Sequence, residues 1–375
     1  RFSMSKASEL ANLIGNINMG GGGVNRNLII NGSTSVAQRG TSSTGIGASS
    51  GYFTCDRWKI TTGNTAGRLT MTQDSSAPSG TGLANSIKLD CTTADTSIAA
   101  DELTIIGQSI EGQNLQTTQK GTSSAVPITV SFYAKANASA TYVAELFDHD
   151  NTRNNTRAFT VGTDWARVEL TFIPDTTGTL DDDNAASLTF QIWLHAGSTY
   201  SGGTFSDNTW QSVTAANRYA GSRTSIFDST SRELFLTGLQ LEVGQNPTSF
   251  EVEPFDVTLR KCYRYFQKSY DYARSPGYSE SSTGSHTRMW LANRNSSTPH
   301  YYNLFSGGKL RTAPTVTNYN SYDGGINEIS NYDATAGDNA GNYVSRIGED
   351  GYTTYANSQT LGHFMAFQFT ADAEL

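Results

Sequence analysis

Aromatic side chains set among small polar residues are where this 375-residue chain carries its most suggestive chemistry. Tyr200 and Trp210 fall in a stretch rich in Ser, Gly, Asn and Asp, and Tyr319, Tyr322, Tyr332 and Tyr352 are dispersed through polar tracts nearer the carboxyl end. An exposed ring can stack on the C–H face of a sugar while Asn, Asp and Gln bond its hydroxyls. Tyr combined with adaptable Ser, Gly and Asn equally suits a protein-binding loop, or packing between copies of the chain.

Reactive constellations are weaker. Gly47-Ala48-Ser49-Ser50-Gly51 satisfies G-x-S-x-G, but a nucleophile elbow needs a strand before it and a helix after it, and this Gly/Ser/Thr tract predicts neither. Asp148-x-Asp150-x-Thr152 opens like a calcium loop. Arg153 then takes the position of the obligatory Gly and Phe159 that of the bidentate Glu, so it is not an EF-hand. Asp181, Asp182 and Asp183 read as a solvated acidic turn, with a calcium site or one member of a glycosidase acid/base pair as the alternative. The five histidines never fall at zinc-ligand spacing, and no phosphate-cradling loop is present. Cys55, Cys91 and Cys262 form an odd set without C-x-x-C spacing, which reads as small buried thiols; a Cys55–Cys91 bridge has no support from spacing.

The formal charge is −8, and charged residues make up only 16% of the chain. Few Lys and Arg argue against nucleic acid or an anionic membrane as partner, because such binding rests on neutralising phosphates. A hydrophobic content of 36% is enough to build a core. No apolar run approaches the ~20 residues that cross a bilayer, so a soluble chain without a membrane span is expected.

The elements that must position these residues are mostly strands. Ile128, Val130, Phe132 and Ala134 alternate with polar neighbours, as do Val168, Leu170 and Phe172, and Leu188, Phe190, Ile192 and Leu194. Period two describes a strand with one buried face. Shorter candidates lie at Leu69–Met71, Ile87–Leu89 and Tyr142–Phe147, and beyond residue 269 at Thr287–Ala292, Tyr343–Ile347 and Phe364–Phe369. Between Leu236 and Leu239 the apolar phase slips at Gly238, which predicts a β-bulge. Two stretches have helical period instead. Leu10, Leu13, Ile14 and Ile17 form a narrow stripe capped by Ser5 and ended by Gly15 and Gly20–Gly23, and Leu259, Cys262, Tyr263 and Phe266 form a second behind Asp256. The first helix is too short to stand alone, so its stripe docks on its own domain, on another copy, or in a larger assembly.

Three tracts carry a family resemblance near the start: "NRNLIINGSTSVAQRGTS" (residues 25–42), "TCDRWKI" (54–60) and "TVSFYAKA" (129–136). Three more follow: "LFLTGLQLEVGQNPTSFE" (234–251), "LRKCYRYFQKS" (259–269) and the ending "FQFTADAEL" (367–375). In this order the chain resembles bacteriophage tail-fibre and related virion fibre proteins, especially of marine phages. The resemblance implies a β-sandwich similar to carbohydrate-binding modules, then a small β tip, in a homotrimer that binds the host surface. Some of those modules hold a structural calcium between the first strand and an acid of the last, and Asn31 and Glu242 occupy comparable places here. Ser33 and Thr34 stand where an acid often follows the opening "NG".

The expectation is therefore an all-β chain: a helix and glycine hinge (1–24), a jelly-roll sandwich (25–254), then a linker helix and β tip (255–375). By function it would be a non-enzymatic fibre or knob, located on the virion after assembly in the host cytoplasm, that attaches to cell-surface glycans. It would have no cofactor beyond the possible calcium, form a homo-oligomer, and meet other virion proteins through Leu10, Leu13, Ile14 and Ile17. The alternatives are a ligand-free structural or capsid-decorating protein and a glycan depolymerase.

Overall fold

The computed structural model describes residues 6–18, 25–278, 289–292, 300–321, 323–331, 339–356 and 364–375. Two compact units emerge, one of residues 1–37, 41–255 and 375, the other of residues 38–40 and 256–374.

The first unit opens with helix α1 (Lys6–Asn18). Thirteen strands follow: β1 (Ser42–Ile46), β2 (Gly51–Tyr52), β3 (Lys59–Gly63), β4 (Arg68–Asp74), β5 (Ser86–Thr93), β6 (Leu103–Glu111), β7 (Ile128–Ala136), β8 (Ala140–Asp148), β9 (Arg153–Val161), β10 (Ala166–Phe172), β11 (Ala186–Ala196), β12 (Gln211–Ser212) and β13 (Glu233–Val243). A single helical turn, α2 (Ser198–Ser201), leaves β11. The strands form a six-stranded sheet, β1-β4-β5-β13-β7-β10, and a seven-stranded sheet, β12-β9-β8-β11-β6-β3-β2, with antiparallel ladders throughout. This is the expected all-β sandwich of jelly-roll type.

The alternating residues do what period two requires. Val130 and Phe132 of β7 face Leu188, Phe190 and Ile192 of β11 in one core, where Phe132 meets Phe159 edge-on at 5.2 Å between ring centroids. Along β13 the partner of Thr237 is Tyr133, but the partner of Ser131 is Gln240, one residue late. Gly238 takes φ +61°, and this bulge resets the phase so that Leu234, Leu236, Leu239 and Leu241 all reach the core.

Helix α1 departs from expectation at its end. It runs through Gly15 to Asn18, because the local stop signal of that glycine is overridden by tertiary bonds from the next residue. Asn16 is buried and donates to the Asn246 carbonyl (2.8 Å) and Glu242 Oε2 (3.3 Å), so polar bonds dock the helix on its own unit. Leu10 and Ile14 of the stripe remain 57% and 49% exposed, and Leu13 is half-buried. The side chain of Ile17 lies outside the described residues.

The second unit holds helix α3 (Phe255–Tyr263, entered at the unit boundary) and strands β14 (Phe266–Lys268), β15 (Met289–Ala292), β16 (His300–Leu304), β17 (Thr315–Asn320), β18 (Glu328–Asn331), β19 (Asn339–Ser345), β20 (Gly351–Ala356) and β21 (Phe364–Asp372). The expected second helical stripe is cut short. Phe266 is not on the helix but opposite Asp372 in the β14–β21 ladder, because sheet pairing captures the chain after Tyr263. Strand β21 is the organising element, paired along its length with β14, β15, β17 and β18.

Candidate functional site

The outer face of the seven-stranded sheet carries a built site. Antiparallel register aligns residues distant in sequence into rows across the strands. One row reads Lys59, Gly107, Gln191, Glu145 and Thr156, from β3 through β6, β11 and β8 to β9. The next row reads Ser109, Thr189, Phe147 and Asn154. Successive strand residues point to opposite faces, so these are the partners left over once Phe190, Ile192 and Leu146 turn inward.

A lobe formed by residues 197–224 caps one end of these rows. Trp193 of β11 lies on the outer face yet is fully buried, because Tyr219 stacks on it at 6.1 Å and Tyr200 of α2 leans on it at 5.4 Å. Ile105 and Val143 complete this small satellite core. It fixes Tyr200 and Arg218 as one wall of a groove of about 300 Å³. Lys59 and Thr61 line the groove from β3, and Phe147 and His149 from the end of β8. Gly107 keeps the floor low, since a Cβ there would come within 2.8 Å of Gln191 Cβ and of the Phe190 carbonyl.

Glu145 organises the floor. It is fully buried and accepts from Asn154 Nδ2 (2.6 Å), Gln191 Nε2 (2.5 Å), Trp193 Nε1 (2.6 Å), and Arg218 Nε and Nη2 (2.9 and 2.8 Å). A buried charge is tolerated only when paired and hydrogen-bonded in this way. The Arg218 guanidinium is held further between the rings of Trp193 (4.6 Å) and Phe147 (4.9 Å). His149 bonds Thr189 Oγ1 through Nε2 at 2.7 Å. Partial desolvation lowers its pKa below the usual histidine value; Asp150 and Asp148 oppose the shift, while Arg218 and Lys59 add to it.

The sequence candidates fare unevenly. Tyr200 lines the groove. Trp210 does not: half-buried against the sandwich core, it donates from Nε1 to the Ile173 carbonyl (2.8 Å) and lies under Lys120 Nζ (5.0 Å). Tyr319 borders a separate hollow of the second unit with Arg39, Pro276 and Asp372, its ring edge-on to Tyr270. Tyr352 is buried, not exposed; it donates to Asn318 Oδ1 at 2.8 Å and packs on Phe305 and Phe369. A domain short of aliphatic residues has used this ring as core. Tyr322 and Tyr332 lie outside the described residues.

The residues at the expected calcium site do not fit a cation. Asn31 Oδ1 accepts from Val36 N (3.0 Å), and its amide nitrogen donates to the Val36 and Asp56 carbonyls. Glu242 is ringed by donors: Thr248 N and Oγ1, Gln240 Nε2 and Asn16 Nδ2. Calcium needs oxygen ligands, and hydrogen-bond donors already occupy both carboxylate oxygens. Asp148 likewise is held by Lys120 Nζ at 2.5 Å. Asp181, Asp182 and Asp183 are exposed, as a solvated turn requires. Among the described residues one other cluster, Asp95, Glu102 and His195, brings metal-ligand atoms within 4.8 Å of one another. It is buried and internally bonded: His195 joins Glu102 (2.9 Å) and Ser225 (2.7 Å), and Asp95 accepts from Thr65 and Ala66. The three cysteines are buried and unbridged, and burial pushes Cys55 up to about 12 and Cys91 to about 11.

Lys59, Glu145, Phe147, His149, Gln191 and Arg218 were not among the sequence candidates. Outward parity on β8 and β11 could have flagged Glu145, Phe147 and Gln191; no local signal marks Arg218.

No known family profile matches the chain, and no curated protein matches its sequence. Similar solved structures include the enzymatically active domain of Bacteriophage CBA120 tailspike protein 4, at 12% identity over 58% of this chain, TM-score 0.30. This chain spans about a fifth (21%) of that protein's length. The CBM22-1 xylan-binding domain from Paenibacillus barcinonensis is 10% identical over 59% of this chain and 96% of its own, TM-score 0.28. A family 11 carbohydrate-binding module from Clostridium thermocellum is 10% identical over 56% of this chain and 98% of its own, TM-score 0.26.

Proposed function

We propose that this is a non-enzymatic virion fibre or knob protein that attaches to host cell-surface glycans through the groove on the seven-stranded sheet. The observation that carries the reading is the composition of that groove. The Tyr200 and Phe147 rings offer apolar surface for sugar C–H faces, and Thr189, Gln191, Ser109 and Arg218 set hydrogen-bonding groups between them. A rigid sheet, rather than a loop, positions most of these groups, so little ordering entropy is lost on binding.

Glu145 supports the non-enzymatic part. A glycosidase needs two carboxyl groups about 5 to 10 Å apart, one of them able to exchange a proton. Glu145, beneath the floor, is committed to five donors, and among the described residues no carboxylate lines the groove itself. The exposed Leu10 and Ile14 support assembly through α1, into a trimer and onto other virion proteins. Copies held together would turn weak contacts into avid ones.

The test is retention on immobilised host polysaccharide. Wild-type protein is expected to bind without releasing reducing ends, and Tyr200→Ala to lose about tenfold or more in affinity. Equal retention of that variant, or turnover of the glycan, would defeat the reading.

A further inference from the structure

Resting on the groove reading above, we propose that the preferred ligand is an acidic glycan, one presenting a carboxylate or sulfate to Arg218 and Lys59. The chain as a whole is acidic at −8, yet every charged or titratable residue lining the groove, tyrosine aside, is basic: Lys59, His149 and Arg218. Chance distribution in an acidic protein would favour the opposite.

The bonding of each group adds direction. Arg218 uses Nε and Nη2 on Glu145, while Nη1 donates to no protein group among the described residues. The edge formed by Nη1 and the second proton of Nη2 is therefore a free fork, and such a fork matches two oxygens of one anion. Its plane is fixed between Trp193 and Phe147, so a ligand need not order it. Lys59, across the groove on β3, makes no ion pair among the described residues; its hydrogen bond is a long one, 3.4 Å, to the Leu375 carbonyl. Glu145 compensates the charge of Arg218, whereas Lys59 meets no acidic side chain among the described residues. His149 faces Lys59 and Arg218 from β8, with Asp148 and Asp150 on its own strand end and turn, and its lowered pKa keeps it neutral near pH 7. A bound anion would draw a proton onto it, so binding should tighten as pH falls towards 6.

The experiment uses the full chain on an array of matched polysaccharides: glucan against glucuronan, and galactan against sulfated galactan. These arms separate carboxylate from sulfate. At least one acidic member should be retained about tenfold more tightly than its neutral twin, with the advantage shrinking as salt rises. Lys59→Gln should remove most of that advantage, bringing acidic and neutral members to similar retention, and Tyr200→Ala should weaken both. Neutral members bound as well as acidic ones, with Tyr200→Ala still harmful, would overturn the acidic preference and leave the groove standing. Retention of no member, or retention indifferent to Tyr200→Ala, would overturn the groove reading and this inference with it.

Discussion

The two units spend their aromatic residues differently. In the sandwich, long strands supply Val, Leu, Ile and Phe to the interior, so Tyr200 and Phe147 are left over for a groove on the outer face. In the second unit, aliphatic residues are scarce and Phe305, Tyr352, Phe367 and Phe369 make the core, with Phe305 and Tyr352 stacked at 5.8 Å. A tyrosine in a polar tract is thus left to line a groove only where something else fills the interior. Core demand comes first because burying an aromatic side chain stabilises by a few kcal/mol, more than one exposed contact returns.

That contrast can be broken or sharpened by substitution. The largest effect is expected from Tyr352→Ala, which opens a cavity and takes the donor from Asn318 Oδ1, at about 4 kcal/mol. Amide exchange should accelerate across β16–β21 while the sandwich strands keep their protection; unchanged exchange would mean that the ring is not core. Glu145→Gln should cost about 3 kcal/mol, because Arg218 loses its buried counter-charge, and it should weaken glycan retention as well. Thermal denaturation and the polysaccharide assay together check it; lost affinity at full stability would show that Glu145 touches ligand rather than positions Arg218.

The smallest effect concerns acid. Burial alone would raise the pKa of Asp175, but hydrogen bonds from Arg153 and the charge of Lys120 outweigh it and hold the carboxyl below its ordinary value. A depressed folded-state pKa stabilises above the unfolded-state value and stops doing so as pH falls through the folded one. The sandwich should therefore lose part of its stability below about pH 4, a loss that Asp175→Asn should flatten in a series of melts against pH.

Much of the scaffold was legible before any coordinates. Alternation on β7, β10 and β11 named the buried faces, the slip at Gly238 named the bulge, and sparse cysteines named buried thiols. Helix limits were less legible. Gly15 reads locally as a stop, but α1 continues to Asn18 because Asn16 is bonded to Asn246 and Glu242, and Phe266 fits a helical stripe although β21 claims it for a ladder.

What the chain alone decided is each residue's backbone preference and hydrophobic phase, because period, propensity and turn chemistry act over a few neighbours. What only the tertiary structure decided is the company each side chain keeps. Lys59, Gly107, Glu145 and Gln191 share a row because three interstrand registers happen to align them, and Arg218 reaches that row because a lobe folds back over Trp193. Whether a tyrosine faces water or the interior was settled in the same way, by how much apolar volume its own unit had left to fill.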